Sequence, residues 1–197
     1  MNVRLALLGR AELSCARRPM LNRLARVTAE GFGRPAPAWI GRSFDMRLSE
    51  YARFTAREAG LLIAAGEHAT TEATRERLRA GATRLGASLR RALGIRRTED
   101  AFEALKSIYR QIGIEVDCAA SAPAAAGAAA GGPPAMMTVG RCFFADYYSE
   151  PVCRVIEALD QGLVAGLFGG ASLEFAERLT GGSLCCRALL RPARTGR

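Results

Sequence analysis

The chain has 197 residues, of which 49% are hydrophobic and 24% charged, as in a globular protein with one well-buried domain. Its single histidine excludes a histidine-rich metal site, and its six cysteines are too few for a disulfide scaffold of this length. We therefore expect one domain over 1–197, with reduced thiols, in the cytoplasm.

The net charge of +9 lies entirely in the first half of the chain. Residues 1–100 contain 19 arginines and 10 acidic residues, whereas 101–197 are balanced, and Lys106 is the only lysine. Basic character can indicate nucleic-acid binding, but that signal requires clustered basic and aromatic residues. Here the arginines are spread along helical segments, and an arginine-rich, lysine-poor composition is typical of a GC-rich genome. We therefore expect no nucleic-acid partner.

Apolar residues at three- and four-residue spacing predict that 1–113 is mainly helical. A short amphipathic helix is expected after Pro19, a loop over 31–37, and a second helix from near Ser49. A further helix is predicted over 98–113.

The clearest helical stripe ends at Gly94, a typical C-terminal stop. Thr70 or Thr71 is the predicted cap at its start. His68 then lies in a solvated loop ahead of the helix.

Strand signals are confined to 114–190, which we interpret as β–β–α–β–β. The first two strands are predicted at 114–118 and 141–145. Ser149 caps the helix that follows, and Gly169 ends it. Helices followed by strands predict an α+β fold with an antiparallel sheet.

The uncharged stretch 119–135 is rich in Ala, Gly and Pro. It is too weakly apolar and too broken for a membrane helix, so we predict a flexible loop outside the fold and no membrane partner.

Gly181-Gly182 predicts a hairpin with a two-residue loop. The register then pairs Leu179 with Leu184, Glu177 with Cys186, Phe175 with Ala188 and Leu173 with Leu190. All of these side chains share the core face of the sheet, since side chains alternate along a strand. Glu177 would be a buried carboxylate, which must be paired, protonated or bound to a metal ion.

The predicted helix carries Cys153, Glu157 and Asp160 on one flank, at i, i+4 and i+7. Three cysteines and a carboxylate would then converge between helix and sheet: Cys142, Cys153, Glu177 and Cys186. This set suits a tetrahedral Zn²⁺ ion. The alternative is that the cysteines are small core residues. We expect no cofactor, with zinc on these four residues as the alternative.

Several short motifs carry a family resemblance: Cys142-Phe143-Phe144, Cys153, 159–163, 175–178 and 181–185. In these motifs the chain resembles the L-2-amino-thiazoline-4-carboxylic acid hydrolase-like family. The strand, helix and hairpin are also similar to the 4-vinyl reductase (V4R) ligand-binding domain, some members of which bind zinc through cysteines and a glutamate. Those domains have a further cysteine just before the hairpin turn, where this chain has Leu179 or Arg178.

The first resemblance implies a hydrolase in which water attacks a cyclic C=N or amide-type carbon, with ring opening at sulfur. Glu177 or Asp160 would be the base. Cys153 is a candidate nucleophile, because a helix N-terminus favours thiolate. For Glu177 the alternative is a structural ion pair with an arginine of the N-terminal helices.

A substrate carboxylate would bind Arg178 or Arg154, with Cys186 and Tyr147 completing the substrate site. The alternative function is a non-enzymatic V4R-like small-molecule sensor. The partner expected in either case is a small molecule, and a homodimer is left open.

Overall fold

The computed structural model describes residues 14–39, 41–120 and 134–193. Four helices come first: α1 (Ser14–Phe32), α2 (Phe44–Ala64), α3 (His68–Leu93) and α4 (Thr98–Gln111). The remaining regular elements are β1 (Ile114–Ala120), β2 (Ala135–Cys142), α5 (Glu150–Phe168), β3 (Ser172–Glu177) and β4 (Cys186–Arg191). Two short 3₁₀ helices, Phe143–Asp146 and Leu179–Gly181, follow β2 and β3. The protein therefore has the predicted α+β fold.

The four strands form one antiparallel sheet in the order β1-β2-β4-β3. Alternate residues of the two central strands are buried: Ala135, Met137 and Val139 of β2, and Cys186, Ala188 and Leu190 of β4. This alternation gives the sheet one core face. The buried cluster on that face continues into α1, α2, α4 and α5, so the helices and the sheet share a core.

α3 and α5 approach each other closely because glycines face the contact. A Cβ atom on Gly166 would lie 2.1 Å from the carbonyl oxygen of Thr83, and one on Gly162 would lie 2.2 Å from that of Arg79. Gly86 of α3 would clash in the same way with the α5 carbonyl of Leu163. These glycines allow the two backbones to pack where no larger residue fits.

Both ends of α5 and the C-terminal end of α3 agree with the sequence signals, whereas the predicted Thr70 or Thr71 cap is wrong, because both residues lie inside α3 and Glu67 is its N-cap. Ser149 is the N-cap of α5, and Gly169 ends it with a φ of 73°. Gly94 ends α3 with a φ of 64°. Such left-handed backbone favours glycine, which has no Cβ.

The predicted starts of the first three helices were too late, whereas the start predicted at residue 98 is that of α4. α1 begins before Pro19 and extends into the predicted loop to Phe32. α2 begins at Phe44, because the Ser43 hydroxyl accepts a hydrogen bond from the Met46 N–H and acts as the cap. His68 is the first residue of α3 rather than part of a loop. The helical pattern therefore reaches further than apolar spacing indicated.

The second predicted strand, 141–145, was misplaced. β2 ends at Cys142, and Phe143 begins a 3₁₀ turn. The strand starts instead at Ala135, and β1 continues to Ala120, so both ends of the predicted loop 119–135 belong to the sheet. The remainder of that prediction, 121–133, lies outside the described residues. Among the helices of the described residues, none is both long and apolar enough to span a membrane.

The terminal hairpin keeps the predicted register only at its open end. Leu173 pairs with Leu190 and Phe175 with Ala188, as predicted. A register shift then follows Phe175, and Glu177 pairs with Arg187 instead of Cys186. The connection runs through the 3₁₀ helix rather than a two-residue Gly-Gly loop, and Leu184 is 97% exposed. The predicted Glu177–Cys186 and Leu179–Leu184 pairs are therefore wrong.

Candidate functional site

A cavity of about 90 Å³ lies where the N-terminal helices, α5 and the end of the sheet meet. Its wall is largely apolar, with aliphatic side chains from α1, α5, and α4 and its C-cap: Met20, Leu24, Ile108, Ile112, Ile156 and Leu163. The predicted polar flank of α5 faces it, since Cys153, Glu157 and Asp160 all line the wall. Cys142 and Cys186 also line it, so three of the predicted site cysteines meet here.

Asp160 is the carboxyl group that faces this apolar space. One of its oxygens, Oδ1, accepts a hydrogen bond from the Tyr109 hydroxyl at 2.7 Å. Burial raises the pKa of Asp160 to about 6, because an apolar environment disfavours the charged form. The Tyr109 hydrogen bond opposes that shift and the nearby Glu157 charge adds to it. The carboxyl group can therefore exchange a proton near neutral pH.

Two further tyrosines place their hydroxyl groups in the wall. Tyr51 Oη lies 2.8 Å from Thr28 Oγ1, which itself donates to the carbonyl of Leu24. A hydroxyl has one proton, so Tyr51 must be the donor to Thr28. Burial raises the pKa of Tyr51, which keeps this hydroxyl protonated.

Tyr148 is arranged in the same way. Its Oη lies 2.5 Å from Thr55 Oγ1, and Thr55 donates to backbone carbonyls of α2, so Tyr148 donates to Thr55. Tyr109 donates to Asp160. The three tyrosine hydroxyls thus donate their protons to protein oxygens, and none of them is a free donor.

The cysteines of the wall are thiols, not thiolates. Burial raises the pKa of Cys142 to about 12 and that of Cys153 to about 11. It raises the pKa of Cys186 as well, although the Leu179 N–H donates to that sulfur at 3.3 Å. Burial therefore opposes the thiolate that the start of α5 was predicted to favour at Cys153. The nearby Thr180 hydroxyl opposes the shift, and its buried Oγ1 makes no hydrogen bond of acceptable geometry within the described residues.

Glu157 is neutralised by arginines. Arg178 donates two hydrogen bonds to its Oε2, at 3.0 and 2.5 Å, and both side chains are buried. Arg75 lies 3.6 Å from the other oxygen, Oε1, and 3.4 Å from Glu72. These two acids and two arginines carry no net charge together.

The remaining predicted site residues lie elsewhere. Glu177 is 43% exposed and 3.5 Å from Arg187, because the register shift after Phe175 turns it out of the core. Arg178 is buried instead, and its guanidinium group is already hydrogen-bonded to Glu157. Arg154 is exposed and pairs with Glu150 one helical turn away, and it does not reach the cavity.

Tyr147 packs its ring 5.3 Å from that of Phe143 and is not part of the cavity wall. The predicted zinc ligands are not brought together, since Glu177 lies outside the cavity that Cys142, Cys153 and Cys186 line. Within 14–39, 41–120 and 134–193, no group of three or more His, Cys, Asp or Glu side chains is arranged to bind a metal ion.

The tyrosine hydroxyls are the part of the site that the sequence analysis missed. Tyr51 and Tyr109 were given no role in the site. Both are buried, and a buried tyrosine hydroxyl needs a hydrogen-bond partner. The signal available in the sequence was a tyrosine, with its polar hydroxyl group, among the apolar residues of each helix.

No protein-family model, curated protein or solved structure matches the chain. The resemblance to the hydrolase-like and V4R families therefore stays a prediction. Any function assigned to the protein depends on the cavity and the groups that line it.

Proposed function

We propose that the protein binds a small, largely apolar molecule in the cavity beside Asp160. The observation that carries this proposal is an aliphatic cavity of about 90 Å³ with a few polar atoms converging on it. Ligand sites in proteins have this character, with apolar walls for affinity and a few polar groups for orientation. This volume is smaller than that of an apolar cavity of roughly 150 Å³ that binds benzene, so a single small ring is the largest ligand expected. This is the V4R-like function expected as an alternative from the sequence.

Orientation of the ligand would come from Asp160 and its hydrogen-bond partner Tyr109. These two residues lie on α5 and α4, and most of the other lining side chains are apolar. A ligand with a single polar end would therefore point that end at Asp160 and bury the rest against residues such as Ile108 and Leu163.

One observation favours a second candidate, the hydrolase that the family resemblance implies. A carboxyl group with a pKa of about 6 is suited to proton transfer at neutral pH. With a small cyclic C=N substrate, Asp160 would take a proton from the attacking water as the water oxygen bonds to the ring carbon. The C–S bond would then break, the new C–O bond would become a carbonyl, and the ring nitrogen and sulfur would each gain a proton. No thiolate is required, which agrees with the raised pKa of Cys153.

Binding is tested by titrating toluene into the protein and following its melting temperature and the heat of binding. Cys153→Met should weaken toluene binding at least tenfold, because the longer side chain enters the cavity. Cys118→Met is the matched control, since Cys118 is a half-buried cysteine of β1 that does not line the cavity. Equal toluene affinity in the two variants would contradict the location of the site.

Hydrolysis is tested by incubating the protein with 2-amino-thiazoline-4-carboxylic acid and measuring thiol release beyond the protein's own cysteines. Asp160→Asn should abolish that release, whereas Glu174→Gln, a change of an exposed acid on β3, should not. Toluene binding without thiol release would leave the binding function and exclude this hydrolysis.

A further inference from the structure

The cavity presents hydrogen-bond acceptors and almost no strong donors. Tyr51, Tyr109 and Tyr148 have each given their single proton to a protein oxygen. The remaining donors of the wall are thiols, which are weak, and the Thr180 hydroxyl. A ligand that satisfies this wall must bring its own N–H or O–H groups.

The charged groups of the wall also favour a ligand that brings its own hydrogen-bond donors. Glu157 is paired with Arg178 and Arg75, whereas Asp160 has no cationic partner among the described residues. Its other oxygen, Oδ2, accepts no hydrogen bond from the described protein groups. A carboxylate in an apolar cavity with one neutral donor is under-compensated, and a bound cation would remove that cost.

We propose that the ligand of this cavity is a small apolar ring bearing a basic nitrogen, an amine or amidine, whose N–H groups donate to Asp160. This inference rests on the proposed binding function and names its ligand class. The apolar wall covers the ring, and Asp160 neutralises the cation. Charge-assisted hydrogen bonds of this kind are about twice as strong as neutral ones.

The test compares three probes of the same shape, benzylamine, benzyl alcohol and toluene, by calorimetric titration at pH 7.5. Benzylamine should bind about tenfold or more tightly than toluene, with benzyl alcohol between them. Asp160→Asn should remove the preference for benzylamine over toluene. Glu174→Gln is the control for a lost surface charge, and should preserve the preference.

The pH dependence provides a readout on the unaltered chain, in case Asp160→Asn fails to fold. The groups that face Asp160 are Tyr51 on α2, Tyr109 on α4, Cys142 and Cys186 on the sheet, Tyr148 before α5, and Cys153 and Glu157 on α5. The tyrosines and these cysteines stay neutral below pH 8, and Glu157 is paired with Arg178 and Arg75. Lowering the pH from 7.5 to 5 protonates Asp160, so benzylamine affinity should fall about tenfold, whereas toluene affinity should not change.

The outcomes separate the two proposals. Equal affinity for benzylamine and toluene at both pH values would overturn the basic-nitrogen inference and leave the cavity as a site for apolar molecules. Tighter binding of benzyl alcohol at pH 5 than at pH 7.5, without benzylamine binding, would show that protonated Asp160 serves as a donor and would also overturn it. Binding of none of the probes would overturn the proposed function and the inference with it.

Discussion

Arg178 clamps Oε2 of Glu157 through its Nε and one terminal nitrogen, and both side chains are buried beside the cavity. The pair joins the loop after β3 to the middle of α5. It also removes from the cavity a charge that would otherwise compete with Asp160. The stability of this corner of the protein therefore depends on the two residues being present together.

Arg178→Met should lower the free energy of unfolding by about 3 kcal/mol, because it leaves the Glu157 carboxylate buried with only Arg75 at 3.6 Å. Adding Glu157→Gln should recover part of that loss. The measurement is urea unfolding of the single and double variants. Arg187→Met, which removes the exposed partner of Glu177, is the control and should cost no more than about 1 kcal/mol. Equal losses in Arg178→Met and Arg187→Met would show that the buried pair has no special role.

The contrast between Glu177 and Arg178 shows what the sequence could not reveal. Alternation along β3 predicted Leu173 and Phe175 correctly, since strands reverse their side chains at every residue. One register shift after Phe175 reverses that phase, which turns Glu177 outward and Arg178 inward. Nothing in the local composition signals such a bulge, so the predicted buried acid was the wrong residue.

The polar flank of α5 was predictable because, unlike the hairpin, its helix has no irregularity that changes which residues share a face. The positions of Cys153, Glu157 and Asp160 follow from helical periodicity, which needs only the start and end of α5, and both ends carry clear cap signals. Residues that reach the cavity from α2 and α4, such as Tyr51 and Tyr109, come from distant parts of the chain. Their meeting depends on tertiary packing, which no local pattern encodes.

Gly166→Ala should destabilise the protein by about 3 kcal/mol, because the added methyl group would overlap the Thr83 carbonyl and force α3 and α5 apart. Gly60→Ala is the matched control in α2, where a Cβ meets nothing within 4 Å. That change should stabilise the protein by up to about 1 kcal/mol, since alanine is the better helix former. Thermal unfolding of both variants measures the difference, and a tolerated Gly166→Ala would contradict the close helix contact.

Asp160 should make the protein less stable as the pH rises. Its pKa is about 6 in the folded state against 3.8 for the ordinary group, so the folded state binds the proton more tightly. By linkage, stability is lost as the pH rises from about 4 through about 6, and the total is about 3 kcal/mol. Asp160→Asn should therefore be more stable than the unaltered chain at pH 7.5 and nearly equal to it at pH 4.

Urea unfolding at the two pH values measures this effect. Tyr109→Phe removes the hydrogen bond that lowers the pKa of Asp160 and should move the loss of stability to higher pH. A stability difference between Asp160→Asn and the unaltered chain that is the same at pH 4 and pH 7.5 would refute the raised pKa.

Cys153 should alkylate slowly despite its position near the start of α5. A pKa raised from 9.0 to about 11 lowers the thiolate fraction at pH 8 by about a hundredfold, and the rate should fall accordingly. Iodoacetamide labelling followed by peptide mass spectrometry gives the rate at each cysteine, with the urea-unfolded chain as the reference. Labelling of Cys153 as fast as in the unfolded chain would restore it as a candidate nucleophile.

The central claim is that the cavity beside Asp160 is the ligand site, and methyl NMR with toluene tests it most directly. The alternative place for an apolar probe is the surface groove that contains Phe54 and Leu61. We predict that toluene shifts the methyl signals of Ile108, Ile156 and Leu163, which line the cavity, and leaves that of Leu61 unchanged. Shifts confined to Leu61 and its neighbours, or no shifts at all, would contradict the claim.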